Sequence, residues 1–136
     1  MEYLKAFIAG FVSTLVFHQA ALAALYAAGL SPKAPYAMTA TAPFQVPTVF
    51  SLAFWGGLWG VALWLVIWDM AAPGYWAFAV ALGALGPSLV ALFIVFPLKG
   101  LPVAGGWDPK VIVGALILNA AWGLGVALLM RLMASF

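Results

Sequence analysis

Hydrophobic and polar positions divide the chain into four long apolar runs, residues 4–29, 47–68, 75–96 and 109–133. A helix needs about 20 mostly apolar residues to cross the hydrocarbon core of a bilayer, and each run meets that length. None shows the period-2 alternation of a barrel strand, and inside lipid only a helix or a closed barrel satisfies every backbone polar group. The pattern therefore predicts an all-α integral membrane fold of four transmembrane helices, a single transmembrane domain over residues 1–136. Local signals agree with these limits. Gly29 is placed to stop the first helix. Pro47 and Pro109 stand where a missing N–H costs nothing, and Asp108 is a natural N-cap.

The connections differ. Asp69-Met70-Ala71-Ala72-Pro73-Gly74 is a tight turn, which makes the second and third helices antiparallel neighbours. Residues 30–46 carry three prolines with Tyr36, Met38 and Phe44, and residues 97–108 carry Pro102, Gly105, Gly106 and Trp107. Neither segment is polar enough for a solvated linker, so both are expected on the membrane surface or over the bundle mouth, with Tyr36, Met38 and Phe44 packed on the membrane face of the bundle and Lys33 reaching water or headgroups. Each half of the chain reads helix, Pro-containing loop with a lysine, then a helix opening at proline. Trp59-Gly60 lies 12 residues after Pro47, and Trp122-Gly123 lies 13 after Pro109. This weak repeat points to two parallel helix hairpins related by an axis along the membrane normal.

Composition sharpens the picture. Hydrophobic residues make up 68% of the 136, and charged residues only 6%. Eight charged side chains cannot coat a water-soluble domain, which needs roughly 25%. The net charge of +2 is scattered, so nucleic acid is not a partner. With no cysteine, disulfides and thiolate-held metals are excluded. The run after Glu2 and Lys5 exceeds a typical signal-peptide core and is read as a retained helix, although Ala21-Leu22-Ala23 resembles a cleavage triplet. Four spans place both termini on one side. Lys5 and Arg131 lie on that side and Lys33, Lys99 and Lys110 on the other, a slight lean toward cytoplasmic long loops.

Polar groups at membrane depth are the candidate chemistry, because they are costly there. His18, the only histidine, and Asn119 fall at similar depths when counted from opposite ends of their helices. A neutral imidazole has one donor and one acceptor to satisfy, and Asn119 or a deep indole offers complements. Gln19, Ser51, Ser88, Trp55, Trp59 and Trp122 share this zone. The residues proposed for a binding site are His18, Gln19, Trp55, Trp59, Ser88, Asn119 and Trp122. The plainer reading is that they hydrogen-bond one another and set helix register. Small-xxx-small pairs support it: Gly56 with Gly60, Ala79 with Gly83, and Ala115, Asn119 and Gly123 on one face. Haem ligation by His18, across a homodimer or with a weak second ligand, rests on a single histidine. A metal site lacks ligands, and no carboxylate is placed to orient a Ser–His pair, so no cofactor and no enzyme activity are expected.

The strings Phe17-His18-Gln19 and Pro47-Thr48-Val49-Phe50-Ser51-Leu52-Ala53-Phe54-Trp55-Gly56-Gly57-Leu58-Trp59-Gly60 resemble small four-helix inner-membrane proteins of bacteria. The resemblance covers roughly the first half of the chain. It implies a bacterial inner membrane and supplies no activity, cofactor or partner. The chain does not resemble the four-helix multidrug exporters, whose first helix carries a central glutamate where this one has His18. Two classes of function remain open. One is a homo-oligomeric binding or transport protein with a midplane site near His18 and Asn119. The other is a structural or accessory subunit of a larger membrane complex. Polar groups lining a cavity would favour the first, and a filled core the second.

Overall fold

The computed structural model describes residues 1–42 and 44–135. It contains four helices long and apolar enough to cross a membrane: α1 (Glu2–Ala27), α2 (Thr48–Ile67), α3 (Gly74–Leu98) and α4 (Pro109–Met133). A two-stranded antiparallel ribbon, β1 (Ala40–Thr41) and β2 (Val46–Pro47), precedes α2. A short 3₁₀ turn, Val103–Trp107, precedes α4. The expected end signals operate. Asp108 accepts from the Lys110 N–H at 3.0 Å. Gly29, at φ +75°, lets the chain turn back so that Leu30 N–H reaches the Leu25 carbonyl.

Two helices depart from regular α geometry, each by one widened turn. In α1 the stretch Thr14–His18 is π-helical, and the Gln19 N–H reaches back five residues to the Thr14 carbonyl. In α3 the stretch Ala91–Val95 is π-helical, and the Phe96 N–H reaches the Ala91 carbonyl. The second lies just beyond Pro87, which has no N–H to give the helix ladder.

The two closest helix pairs lie within the halves, α1 with α2 and α3 with α4. The reason is the same in each. A Cβ on Gly60 would run into the Ala6 carbonyl and the Gly10 backbone, and one on Gly123 into the Ala79 carbonyl and the Gly83 backbone. Ala6 and Gly10, like Ala79 and Gly83, are four residues apart on the first helix of their half. Backbones can approach this closely only where side chains are absent, and dispersion then replaces the hydrophobic effect that lipid cannot supply. The repeat inferred from Trp59-Gly60 and Trp122-Gly123 is therefore a repeat of contacts. Each tryptophan also reaches the other half: Trp122 donates its indole N–H to the Gly10 carbonyl at 3.1 Å, and Trp59 packs against Gly86 of α3.

Between the halves, α1 and α4 pack extensively, whereas α2 and α3 touch far less despite the tight turn that joins them. That turn makes them neighbours in the chain, but the closest approach follows the glycine faces. A buried cluster gathers Ala6, Ala9, Leu63, Ile67, Tyr75, Ala79, Trp122, Val126, Ala127 and Met130. Tyr75 sits within it, its hydroxyl on the Ala127 carbonyl at 2.7 Å, and Arg131 lies 4.0 Å from its ring centroid.

The loop after α1 behaves unlike its expectation in part. Gly56 faces Gly10 and Thr14, so α2 starts roughly level with His18 and α1 continues beyond it by about 13 Å. The loop folds back into this gap. Tyr36 donates its N–H to Gln19 Oε1 at 2.6 Å and its hydroxyl to the Leu15 carbonyl at 2.6 Å. The Ala37 and Thr39 carbonyls accept from the first N–H groups of α2, on Val49 and Thr48. Met38 and Phe44, expected to pack on the bundle, stand clear of it at 60% and 85% exposure. The backbone bonds of Ala37 and Thr39 hold the loop without them.

Two outcomes follow from this packing. Gly123→Leu should force α3 from α4 and cost about 1–3 kcal/mol or more in a detergent unfolding titration. Gly114→Ala, where no neighbouring atom stands within 4 Å of the new Cβ, should leave the midpoint unchanged or raise it. Single cysteines replacing Glu2 and Ser135 should be labelled from the same membrane face by an impermeant maleimide. Labelling from opposite faces would remove one span.

Candidate functional site

The polar residues at membrane depth fall into three hydrogen-bonded groups. The first centres on Gln19, whose side chain is almost fully buried. Its Oε1 accepts from Tyr36 N–H, and its Nε2 lies 3.2 Å from His18 Nδ1. A backbone N–H can only donate, so the amide oxygen must face Tyr36 and the amide NH₂ must face the ring. Nδ1 is then an acceptor, and neutral His18 carries its proton on Nε2. Among the described residues no hydrogen bond engages that Nε2, and the ring is half-buried.

The π-helical turn explains why this group forms here. In a regular helix the Leu15 carbonyl would accept from the Gln19 N–H four residues on. The widened turn sends that N–H to Thr14 instead, leaving the Leu15 carbonyl for the Tyr36 hydroxyl. Tyr36 itself is held at φ +56°, a region uncommon for a residue with a Cβ. Its two hydrogen bonds, from the backbone and the phenol of one residue, offset that strain.

The second group joins α3 to α4. Asn119 Nδ2 donates to Ser88 Oγ at 2.9 Å, and Ser88 donates to the Ala115 carbonyl at 3.2 Å. The third joins α1 to α4. Ser13 Oγ donates to the Trp122 carbonyl at 2.6 Å, while Trp122 Nε1 and Thr14 Oγ1 both donate to the Gly10 carbonyl. Among the described residues no fully buried side-chain N or O lacks a partner.

The residues named from sequence are thus brought together only in part. The Ser13–Trp122 contact places Asn119 and His18 within about one helical turn of the same depth, as expected from their positions. They do not pair with each other: Asn119 takes Ser88, and His18 takes Gln19. Trp122 is buried and bonded, Trp59 is half-buried against Gly86, and Trp55 turns outward with 58% exposure, edge-on to Phe54. The binding-site residues named from sequence did not include Ser13, Thr14 or Tyr36, although Tyr36 was expected against the bundle as a loop residue. Ser13 and Thr14 carried a signal, two adjacent hydroxyls inside an apolar run. For Tyr36 the loop's low polarity indicated a place against the bundle but not its partners, since these depend on how the loop folds back along α1.

For ligation chemistry, the donor set is thin. No three His, Cys, Asp or Glu side chains converge among the described residues. Ligation by His18 through Nε2 would move the ring proton to Nδ1. Gln19 would then have to offer its oxygen there, and Tyr36 N–H already holds that oxygen. The geometry suits a hydrogen-bond donor at His18 better than a haem or metal ligand.

Removing one partner tests the first group. Tyr36→Phe should cost about 1 kcal/mol in unfolding free energy, because the Leu15 carbonyl loses its donor. Amide exchange should quicken across residues 30–42, whereas Phe44→Ala should leave both readouts near wild type. Equal protection of this loop in wild type and Tyr36→Phe would show that the phenol does not hold it. Compared with known proteins, the chain matches no protein family, no curated protein and no solved structure.

Proposed function

We propose that this chain is a structural or accessory subunit of a membrane assembly, seated in a bacterial inner membrane with both termini on one side. The observation that carries the reading is the use made of its buried polar groups. Gln19, Ser88 and Ser13 are engaged in bonds that join helix to helix or helix to loop, and Thr14 bonds back to the Gly10 carbonyl of its own helix. Trp122 is buried at the α1–α4 boundary, its indole bonded to the Gly10 carbonyl. One hollow runs from the end of α1 along the first turns of α4 and another lies between the start of α1 and the end of α2, and neither is lined by His18 or Asn119. This supports packing rather than passage as the role of the polar residues.

His18 gives the reading a direction. Its Nε2–H is a donor at membrane depth, and hydrocarbon has no acceptor to offer it. An acceptor on a neighbouring chain would satisfy it at a worth of about 0.6–2 kcal/mol. Broad outward faces of apolar residues, such as Phe50, Phe54, Leu58 and Leu65 on α2, would supply the rest of the contact.

The test is gentle solubilisation of the tagged chain from its native membrane, followed by sizing, visible absorbance and identification of co-purifying subunits. The expected result is an assembly far larger than the 14.3 kDa chain in its micelle, containing other subunits. His18→Leu should lower recovery of that assembly severalfold, while Asn119→Leu, whose partner is internal, should lower it little. A monomer without partners, or a haem absorbance band lost in His18→Leu, would overturn the proposal.

A further inference from the structure

We infer that the hollow between the end of α1 and the first turns of α4 binds an anionic phospholipid, with an acyl chain along the groove and the phosphate on Lys110. The hollow is an open groove with a volume of about 260 Å³. Leu25 and Leu30 form one wall. Pro109, Lys110, Val113, Gly114 and Ile117 form the other and follow a single face of α4 for about 12 Å.

Three features fit that occupant. The lining is apolar apart from Lys110, which stands in the first turn of α4, at the end of the span where a headgroup would sit. Gly114 provides the depth. Nothing lies within 4 Å of the place where its Cβ would be, so the missing side chain leaves open space rather than admitting another helix. This separates it from Gly60 and Gly123, whose missing side chains are filled by facing backbone.

Charge selects the headgroup. Lys33, Lys99 and Lys110 share this end of the chain with a single carboxylate, Asp108. Asp108 is engaged as the helix cap, and Lys110 forms no ion pair among the described residues. A basic group at the headgroup end of an apolar groove between helices matches a negatively charged phosphate ester better than a zwitterionic one.

The experiment uses the full chain in mild detergent, with phosphatidylglycerol or phosphatidylcholine added, and counts retained lipids by native mass spectrometry. Wild type should retain phosphatidylglycerol preferentially. Lys110→Gln should reduce that retention about fivefold and leave phosphatidylcholine unchanged. Gly114→Leu, which fills the groove, should reduce both, and its unfolding midpoint reports whether the fold is intact. Lys110→Gln alters only an exposed side chain and keeps the test decisive if Gly114→Leu fails to fold. Equal retention of the two lipids by wild type, or an undiminished preference in Lys110→Gln, would overturn the inference. So would disulfide crosslinking of Val113→Cys between two copies, which would show a second chain in the groove.

Discussion

Hydrocarbon offers neither donors nor acceptors, so each polar group inside a membrane must find its partner within protein. Much of this molecule's irregularity answers that demand. The widened turn of α1 releases the Leu15 carbonyl, and a tyrosine from a loop supplies the donor. The first N–H groups of α2 are taken by carbonyls of the same loop. The Trp122 indole, buried between α1 and α4, reaches the Gly10 carbonyl. A soluble protein could leave several of these groups to water.

The same solvent removes the ordinary reason for helices to associate. Lipid tails are as apolar as leucine, and contact must come from close packing and a few hydrogen bonds. Both halves meet this need in the same way, with a glycine of the second helix pressed against an Ala-xxx-Gly pair of the first. The halves are then joined chiefly through α1 and α4 by Ser13 and Trp122. The α2–α3 side is held more loosely.

This division bears on function. Polar residues that bridge helices have little capacity left for a ligand, and most of those named here are in that position. His18 differs, because Gln19 accounts for one ring nitrogen and leaves the other as a donor. Gly114 differs from the other glycines of α4 in the same sense, since the space beside it is empty. Both positions are assigned to contacts beyond the chain.

Much of the architecture was determined by sequence alone. Four apolar runs of spanning length, with Gly29, Pro47, Asp108 and Pro109 at their ends, specify four helices and nearly their limits, because length, hydropathy and capping are local properties. The small-xxx-small pairs and the Trp-Gly repeat likewise marked the close faces in advance. The depth of His18 relative to Asn119 was also legible, since residues advance along a helix at a fixed rise. Their partners were not. Two residues at one depth can meet, or can each turn to something nearer, and that choice depends on helix rotation and on the π-helical turn. Trp55 and Trp59 show the same limit: four residues apart in one helix, one faces outward and the other packs against Gly86. Tyr36 shows it most clearly. Its place beside Leu15 follows from α1 outrunning α2, a mismatch set by where glycine backbones touch, and only the tertiary structure decides that register.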